Sequence, residues 1–401
     1  MRADTDNAMN CFAAVMTGQG TGAISTIQIF GDSAEAVIIK IFKPAGIKPL
    51  KFKTGQIHLG TICDGTDVTD QVTIGCEGPD TFAINCHGNP LIVEKIMQLL
   101  GQQGTNLVTA EQLLTKTLSA QGQNSTIAIE AKLTQTKARI LQGTKIIANQ
   151  IDAGLTKKTR GWLENINKIS LEAIKAEAIE ILQKSQTAKL IIYGCTAVLT
   201  GPPNSGKSTL LNCLAGRQKA IVTDIKGTTR DWVSARCRIG SLSLELIDTA
   251  GLYEKLQGTQ DAIDESAQQK TVEILERADI VLLVLDNSQP TEELDVRLLN
   301  KISGRKIITI LNKSDLPAKF DTSRLSANLS NTVQVSAKEG TGIESLNEKI
   351  INTVGAADFD LREPVCFTDR QEKILKELTN AKAKQRATSI ITELLNGQLS
   401  V

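Results

Sequence analysis

Two kinds of hydrophobic spacing alternate along this chain of 401 residues. Residues 10–108 mix short β-rich runs, at 23–30, 71–76 and 82–86, with one helical pattern at 90–100, which predicts an α+β domain. From about 109 to 188 glycines thin out, and Leu, Ile and Ala recur three and four residues apart, as at Leu171, Ile174, Ala178, Ile181 and Leu182. That spacing predicts helices. Residues 193–355 alternate strand and helix signals, with 244–247, 280–285, 307–311 and 332–335 as buried strands, so a doubly wound, mostly parallel sheet is implied. After Pro364 a single amphipathic helical pattern covers 369–395, with Ile374, Leu375, Leu378 and Ala381 on one stripe. Helical composition on both sides of the α/β segment suggests that the segment is inserted into a helical domain. The expected organisation is an α+β domain over 1–108, a helical domain over 109–192, the α/β domain over 193–355, and a shortened helical return over 356–401.

Charge and composition narrow the picture. Lys and Arg number 45 against 44 Asp and Glu, a formal charge of +1, so the whole chain exerts no pull on nucleic acid or membrane, and only a local basic patch is left open. The longest apolar runs, 11–16 and 280–285, fall far below the ~20 residues that span a bilayer. Asp4 and Asp6 stand where a signal peptide would need apolar residues, so a cytoplasmic protein with no membrane partner is expected. Eight cysteines and two histidines show no Cys-x2-Cys pair, which favours buried free thiols over a metal site.

Residues 201–208 read Gly-Pro-Pro-Asn-Ser-Gly-Lys-Ser, the Gly-x4-Gly-Lys-Ser/Thr pattern in which backbone amides and a helix N-terminus cradle phosphate oxygens. Asn204, Ser205, Gly206, Lys207, Ser208 and Thr209 are the candidate phosphate contacts. Lys207 would reach the β- and γ-phosphates, and Ser208 would give its hydroxyl to Mg²⁺, which prefers hard oxygen ligands. A chance glycine-rich turn is the alternative. Against it, 196–200 has the β-branched composition of a strand, and 209–216 is a helical pattern ending in glycine.

The base is read elsewhere. Asn312, Lys313 and Asp315 close a predicted strand, and the Asp315 carboxylate can accept from both N1–H and the exocyclic amine of guanine, a donor pair adenine lacks. Ser336, Ala337 and Lys338 close the next strand and supply the second base-contacting loop. Asp248 in Asp-Thr-Ala-Gly has the spacing of a Mg²⁺-linked carboxylate, with the Gly251 amide on the γ-phosphate, and Thr229 would complete the Mg²⁺ shell. These motifs in this order imply GTP. Where Ras-like switches carry a water-orienting glutamine, Leu252 stands and cannot do that work. Asn204 offers a different aid, a side-chain oxygen that can help hold a monovalent cation beside the phosphates; an Asx turn is the alternative.

The phosphate loop, the run Asp224-Ile225-Lys226-Gly227-Thr228-Thr229-Arg230-Asp231 and Asp-Thr-Ala-Gly-Leu at 248–252 resemble the potassium-dependent, TRAFAC-class GTPases. The opening at 13–24, the segment 27–31 and Asn85-Cys86-His87-Gly88 narrow this to the tRNA-modification GTPase family of MnmE or TrmE type. The resemblance implies a P-loop GTPase inserted in a helical domain, forming a homodimer through its N-terminal domain and pairing two G domains over a cation. It implies K⁺ held by Asn204 with Thr223, Ile225 and Gly227, and a water-positioning acid at Asp264 or Glu265 acting beside Lys207. A plain acidic turn is the alternative for Asp264 and Glu265. It also implies tRNA as substrate, an FAD-dependent partner of MnmG or GidA type, and a tetrahydrofolate derivative. Three places depart from the family's folate residues: Gln28 replaces an arginine, only Gly78-Pro79-Asp80 stands for a Thr-Gly-Glu-Asp turn, and 117–123 lacks the charged helix, although Glu130-Ala131 still matches. The sequence also contains no Cys-x-Gly-Lys tail and runs out at Gln398-Leu399-Ser400-Val401. A divergent GTPase switch or RNA-particle assembly factor without one-carbon chemistry is therefore the alternative function.

Overall fold

The computed structural model describes residues 10–18, 20–46, 51–120, 122, 125–217, 233–248, 273–291 and 302–397. They fall into two compact units that divide between Ile129 and Glu130.

The first unit is built on a seven-stranded sheet, ordered β3-β4-β5-β6-β2-β1-β7. Its strands are β1 (Cys11–Val15), β2 (Ile24–Gly31), β3 (Phe42–Pro44), β4 (Ile57–Asp64), β5 (Asp67–Gly78), β6 (Thr81–His87) and β7 (Asn106–Leu107). All neighbours are antiparallel except β7, which runs parallel to β1. Alternate residues of β2 (Ile27, Ile29), together with β5 (Ile74) and β6 (Phe82, Ile84), point inward. They meet Val37, Ile38 and Ile41 of α1 (Ala34–Ile41) and Ile96, Leu99 and Leu100 of α2 (Pro90–Gln102). Each such side chain contributes about 1.5–3 kcal/mol on full burial. Helix α2 starts where it does because the Asn89 side chain accepts from the Leu91 amide and Pro90 fills the first turn. Helix α3 (Ala110–Ala120) belongs to this unit, and α4 (Thr126–Gln135) spans the division.

The second unit carries α5 (Leu141–Asp152), α6 (Gly154–Glu164) and α7 (Leu171–Tyr193), then a six-stranded sheet. Its strands are β8 (Cys195–Thr200), β9 (Val233–Ile239), β10 (Leu242–Asp248), β11 (Ile280–Asp286), β12 (Ile307–Asn312) and β13 (Thr332–Gln334). The order is β13-β12-β11-β8-β10-β9, parallel throughout except for β9 beside β10. β11 and β12 are buried at almost every position, as a parallel sheet covered on both faces demands. Helix α8 (Lys207–Arg217) follows β8, and α9 (Ile343–Val354) follows β13.

Past α9 the structure differs from expectation: residues 369–395 form two helices, α10 (Asp369–Thr379) and α11 (Lys384–Asn396). Asn380 ends α10, its backbone N–H going back to Glu377 and Leu378 and its side chain donating to the Lys376 carbonyl. Ala381 is still buried beyond the break, so the apolar stripe runs across a turn and reads as unbroken. The chain thus leaves α7 for the sheet and returns to α10, which packs against α7. Glu130 fixes that return. Its carboxylate accepts from Arg370 Nε and Nη2 (2.9 and 2.8 Å), Gln371 Nε2 (2.7 Å) and Thr368 Oγ1 (2.9 Å).

Candidate functional site

The carboxyl ends of β8, β10, β11 and β12 lie side by side, the place where open α/β sheets bind ligands. β8 turns through residues 201–206 into α8. Gly201 has φ +139°, and a Cβ there would lie 2.1 Å from the Val284 carbonyl; at Gly206, φ +92°, it would lie 2.2 Å from Asn312 Nδ2. Neither position admits a side chain. Asn204 sits at φ +58°, a conformation asparagine tolerates better than most residues. Lys207 is 6% exposed, and its ammonium donates to the carbonyls of Gly201 (3.1 Å) and Pro202 (2.8 Å), so the loop closes around it. Thr209 follows in the first turn of α8.

Ser208 Oγ donates to Asp248 Oδ2 at 2.7 Å. The contact follows from register, since β10 pairs in parallel with β8 and sets Asp248 opposite Leu199, at the mouth of the phosphate loop. Two hard oxygen ligands brought together in this way fit Mg²⁺.

Asn312 ties the loops to one another. It is 2% exposed; its Nδ2 donates to the Ser205 carbonyl (2.9 Å) and its Oδ1 accepts from the Ala337 amide (3.0 Å). One side chain therefore sets the distance from the phosphate loop to both loops expected to contact the base. Asp315 is exposed, and its Oδ1 accepts from Ser336 Oγ at 2.5 Å, while that hydroxyl also takes the Glu339 amide at 3.2 Å. The Ser336 hydroxyl is the main reason that the Asp315 carboxyl is held below its ordinary range. An ionised acceptor results, which the expected contact to guanine would need. Lys338 is far more open, 79% exposed and 3.6 Å from Glu339.

Sequence reasoning missed Asp286. It closes β11 in register with Asn312 of β12 and receives Lys313 Nζ at 2.6 Å. Its other oxygen accepts the Ser288 amide (2.9 Å) and hydroxyl (2.7 Å). Burial pushes this carboxyl up, but the hydrogen bonds from Lys313 and Ser288 win and hold it low. Lys313 itself has φ +63°, a left-handed backbone in a non-glycine residue. The available signal was a carboxylate ending the otherwise apolar run 280–285.

Thr223, Ile225, Gly227, Thr229, Gly251, Asp264 and Glu265 lie outside the described residues. At the places compared with a folate site, Gln28 donates to Glu77 (2.6 Å), and Glu130 is taken up by Arg370, Gln371 and Thr368. All eight cysteines are free, and among the described residues no cluster of His, Cys, Asp and Glu could hold a metal by those groups alone. No helix among them is long and apolar enough to cross a membrane.

Two protein families match the chain: the one described as GTP-binding protein TrmE N-terminus over residues 11–112, and the 50S ribosome-binding GTPase over 196–313. The chain is 31% identical to the tRNA modification GTPase MnmE of Thermoanaerobacter sp. (strain X514), across 92% of its length and 87% of the relative's. It is 32% identical to the protein of the same description from Bacillus subtilis (strain 168), across 85% and 82%. Among solved structures, the G domain of the T. maritima FeoB iron transporter covers 40% of this chain and 98% of its own, at 27% identity and a TM-score of 0.30.

Proposed function

We propose a tRNA-directed role for this chain, which belongs to the tRNA modification GTPase MnmE family: it hydrolyses GTP at the strand ends of the second sheet and couples that hydrolysis to modification of tRNA. The observation that carries the nucleotide assignment is Asn312, which spans the phosphate loop and the Ala337 loop with one carboxamide. Asn204, Ser205, Gly206, Lys207, Ser208, Thr209 and Gly251 would receive the phosphates. Asn312, Lys313, Asp315, Ser336, Ala337 and Lys338 would receive guanine, with Asp315 accepting its two donors.

Ser208, Asp248 and Thr229 would hold Mg²⁺, whose chemistry when bound is to neutralise charge on the β- and γ-phosphate oxygens. The protein's own part is to hold Lys207 against that charge and to exclude adenine by leaving Asp315 unpaired with it. Asn204, with Thr223, Ile225 and Gly227, would hold K⁺, and Asp264 or Glu265 would orient water. A homodimer that apposes two G domains, and an FAD-dependent partner of MnmG type, complete the reading. A cytoplasmic setting accords with it.

A second reading rests on one observation. Glu130, the matching residue of the folate segment, has its carboxylate engaged by three neighbouring side chains, and Gln28 is engaged by Glu77. A GTP-driven switch or RNA-particle assembly factor without one-carbon chemistry would look like this. Complementation of a strain lacking the modification GTPase separates the two. The first reading expects the wobble modification to return with the wild-type chain and not with Asp315→Asn, whose amide cannot accept from both guanine donors. GTP hydrolysis without restored modification would support the second; Asp315→Asn with unaltered GTP affinity and selectivity would overturn the guanine assignment itself.

A further inference from the structure

The formal charge of +1 conceals an uneven distribution. Residues 131–170 hold eight Lys and Arg against two Asp and Glu, a local charge of +6 that the rest of the chain offsets. The two helices in this segment sort their residues by face. α6 buries Leu155, Thr156, Thr159 and Trp162 and exposes Lys157, Arg160 and Glu164, which are three and four residues apart and so share a face with two cations and one carboxylate. α5 buries Ile146, Ile147 and Gln150 and exposes Lys145, with Leu141, Ala148 and Asp152 also open. Arg139 before α5 and Lys168 after α6 are exposed as well.

Internal pairing does not account for these charges. Lys158 meets Glu177 of α7 at 2.8 Å, and Trp162 Nε1 donates to the same carboxylate at 2.6 Å, which pins α6 to α7. Arg139, Lys145, Lys157, Arg160 and Lys168 have no carboxylate at ion-pair distance among the described residues. Their scaffold is rigid. Gly143 of α5 lies so close to α7 that a Cβ would come within 2.8 Å of the Ile192 Cα. Gln150, fully buried, receives the Leu155 and Val365 amides and donates to the carbonyls of Ile146 and Glu363.

We propose that the exposed cations of α5 and α6, together with Arg139 and Lys168, form a docking surface for the phosphate backbone of RNA. Fixed, unpaired cations on packed helices suit a polyanion, whose counterions they release. A lipid surface would call for a row of large apolar residues beside the cations; α6 exposes none and α5 only Leu141. The inference rests on the tRNA reading above, and complementation tests that reading separately.

The test is binding of an unmodified tRNA transcript by the full chain, followed by fluorescence anisotropy across a KCl series. Reversal of Lys145, Lys157 and Arg160 to Glu should weaken binding about tenfold or more and lower the slope of log affinity against log salt by about two, while GTP hydrolysis is unchanged. Reversal of the exposed Lys40, Lys51 and Lys53 alters net charge equally and should leave affinity within about twofold. Equal affinity and slope in the Lys145/Lys157/Arg160 variant would overturn the surface and leave the tRNA reading standing. So would equal loss in the control variant, or binding to phosphatidylserine vesicles that the first variant loses while keeping tRNA. Absence of tRNA binding by the wild-type chain at low salt overturns the surface too.

Discussion

A lysine in a loop proposed to contact guanine is useful only if its stem is held in one place, and Lys313 has two constraints to hold it: the left-handed backbone and the Asp286 carboxylate at 2.6 Å. Asp286 is in turn oriented by the Ser288 amide and hydroxyl, so the lysine rests on a carboxylate that is itself fixed. Asp286→Asn keeps the shape and the Ser288 contacts but removes the charge opposite the ammonium. GTP and GDP affinity should fall about two- to fivefold, in line with the ~0.2–1 kcal/mol expected of a part-exposed pair. The effect should be confined to binding and spare kcat. Lys313→Met tests the route, because in that background Asp286→Asn should cost nothing more. A full further loss in the double variant, measured by dissociation of a fluorescent GDP, would mean that Asp286 acts on the loop by some path other than Lys313.

At the scale of elements, the parallel strands and the glycine loop were legible because local chemistry decides them. The apolar runs at 280–285 and 307–311 are short and rich in β-branched residues, which favours buried strands, and Gly206 is forced by the approach of Asn312. Asp286 was not legible, since its role comes from lying one strand away from Asn312, and neither was the break between α10 and α11. There the stripe through Ile374, Leu375, Leu378 and Ala381 keeps helical spacing across a turn made by Asn380. The Glu130 cluster was equally hidden, because its partners lie 238 to 241 residues away in sequence. It makes a clear prediction about how the returning helices are secured. Arg370 gives Glu130 two hydrogen bonds and caps α11 by donating to the carbonyls of Glu393 and Leu394. Arg370→Ala leaves a carboxylate that is 4% exposed without its cation, at an expected loss of about 3–5 kcal/mol in the transition that unfolds the second unit. Paired replacement, Glu130→Gln with Arg370→Met, should recover much of it in urea unfolding. If the double variant is no more stable than Arg370→Ala, the unpaired charge is not the source of the loss.

For the whole molecule, the question is what supplies positive charge to the transferring phosphoryl group. Lys207 is in place, and the described strand ends offer the nucleotide site Asp286 and Asp248 but no arginine. Leu252 at the position of the Ras-like glutamine removes a second common aid. The proposed source is a monovalent cation beside Asn204, whose backbone lies at φ +58° in the phosphate loop. Hydrolysis should therefore be faster in KCl than in NaCl at equal ionic strength, by about ten-fold or more, as is typical when fixed charge is added at a transition state. If two G domains must meet over that cation, the rate per chain should also rise with protein concentration in K⁺ and stay flat in Na⁺. Asn204→Ala should abolish both dependences while leaving GDP affinity within a few-fold, because the phosphate amides remain. Steady-state hydrolysis measured over a hundredfold range of protein concentration in the two salts decides the matter. Equal rates in K⁺ and Na⁺ that do not change with concentration would mean that a single chain hydrolyses GTP with groups of its own, and the acidic residues Asp264 and Glu265 would then be the first to substitute.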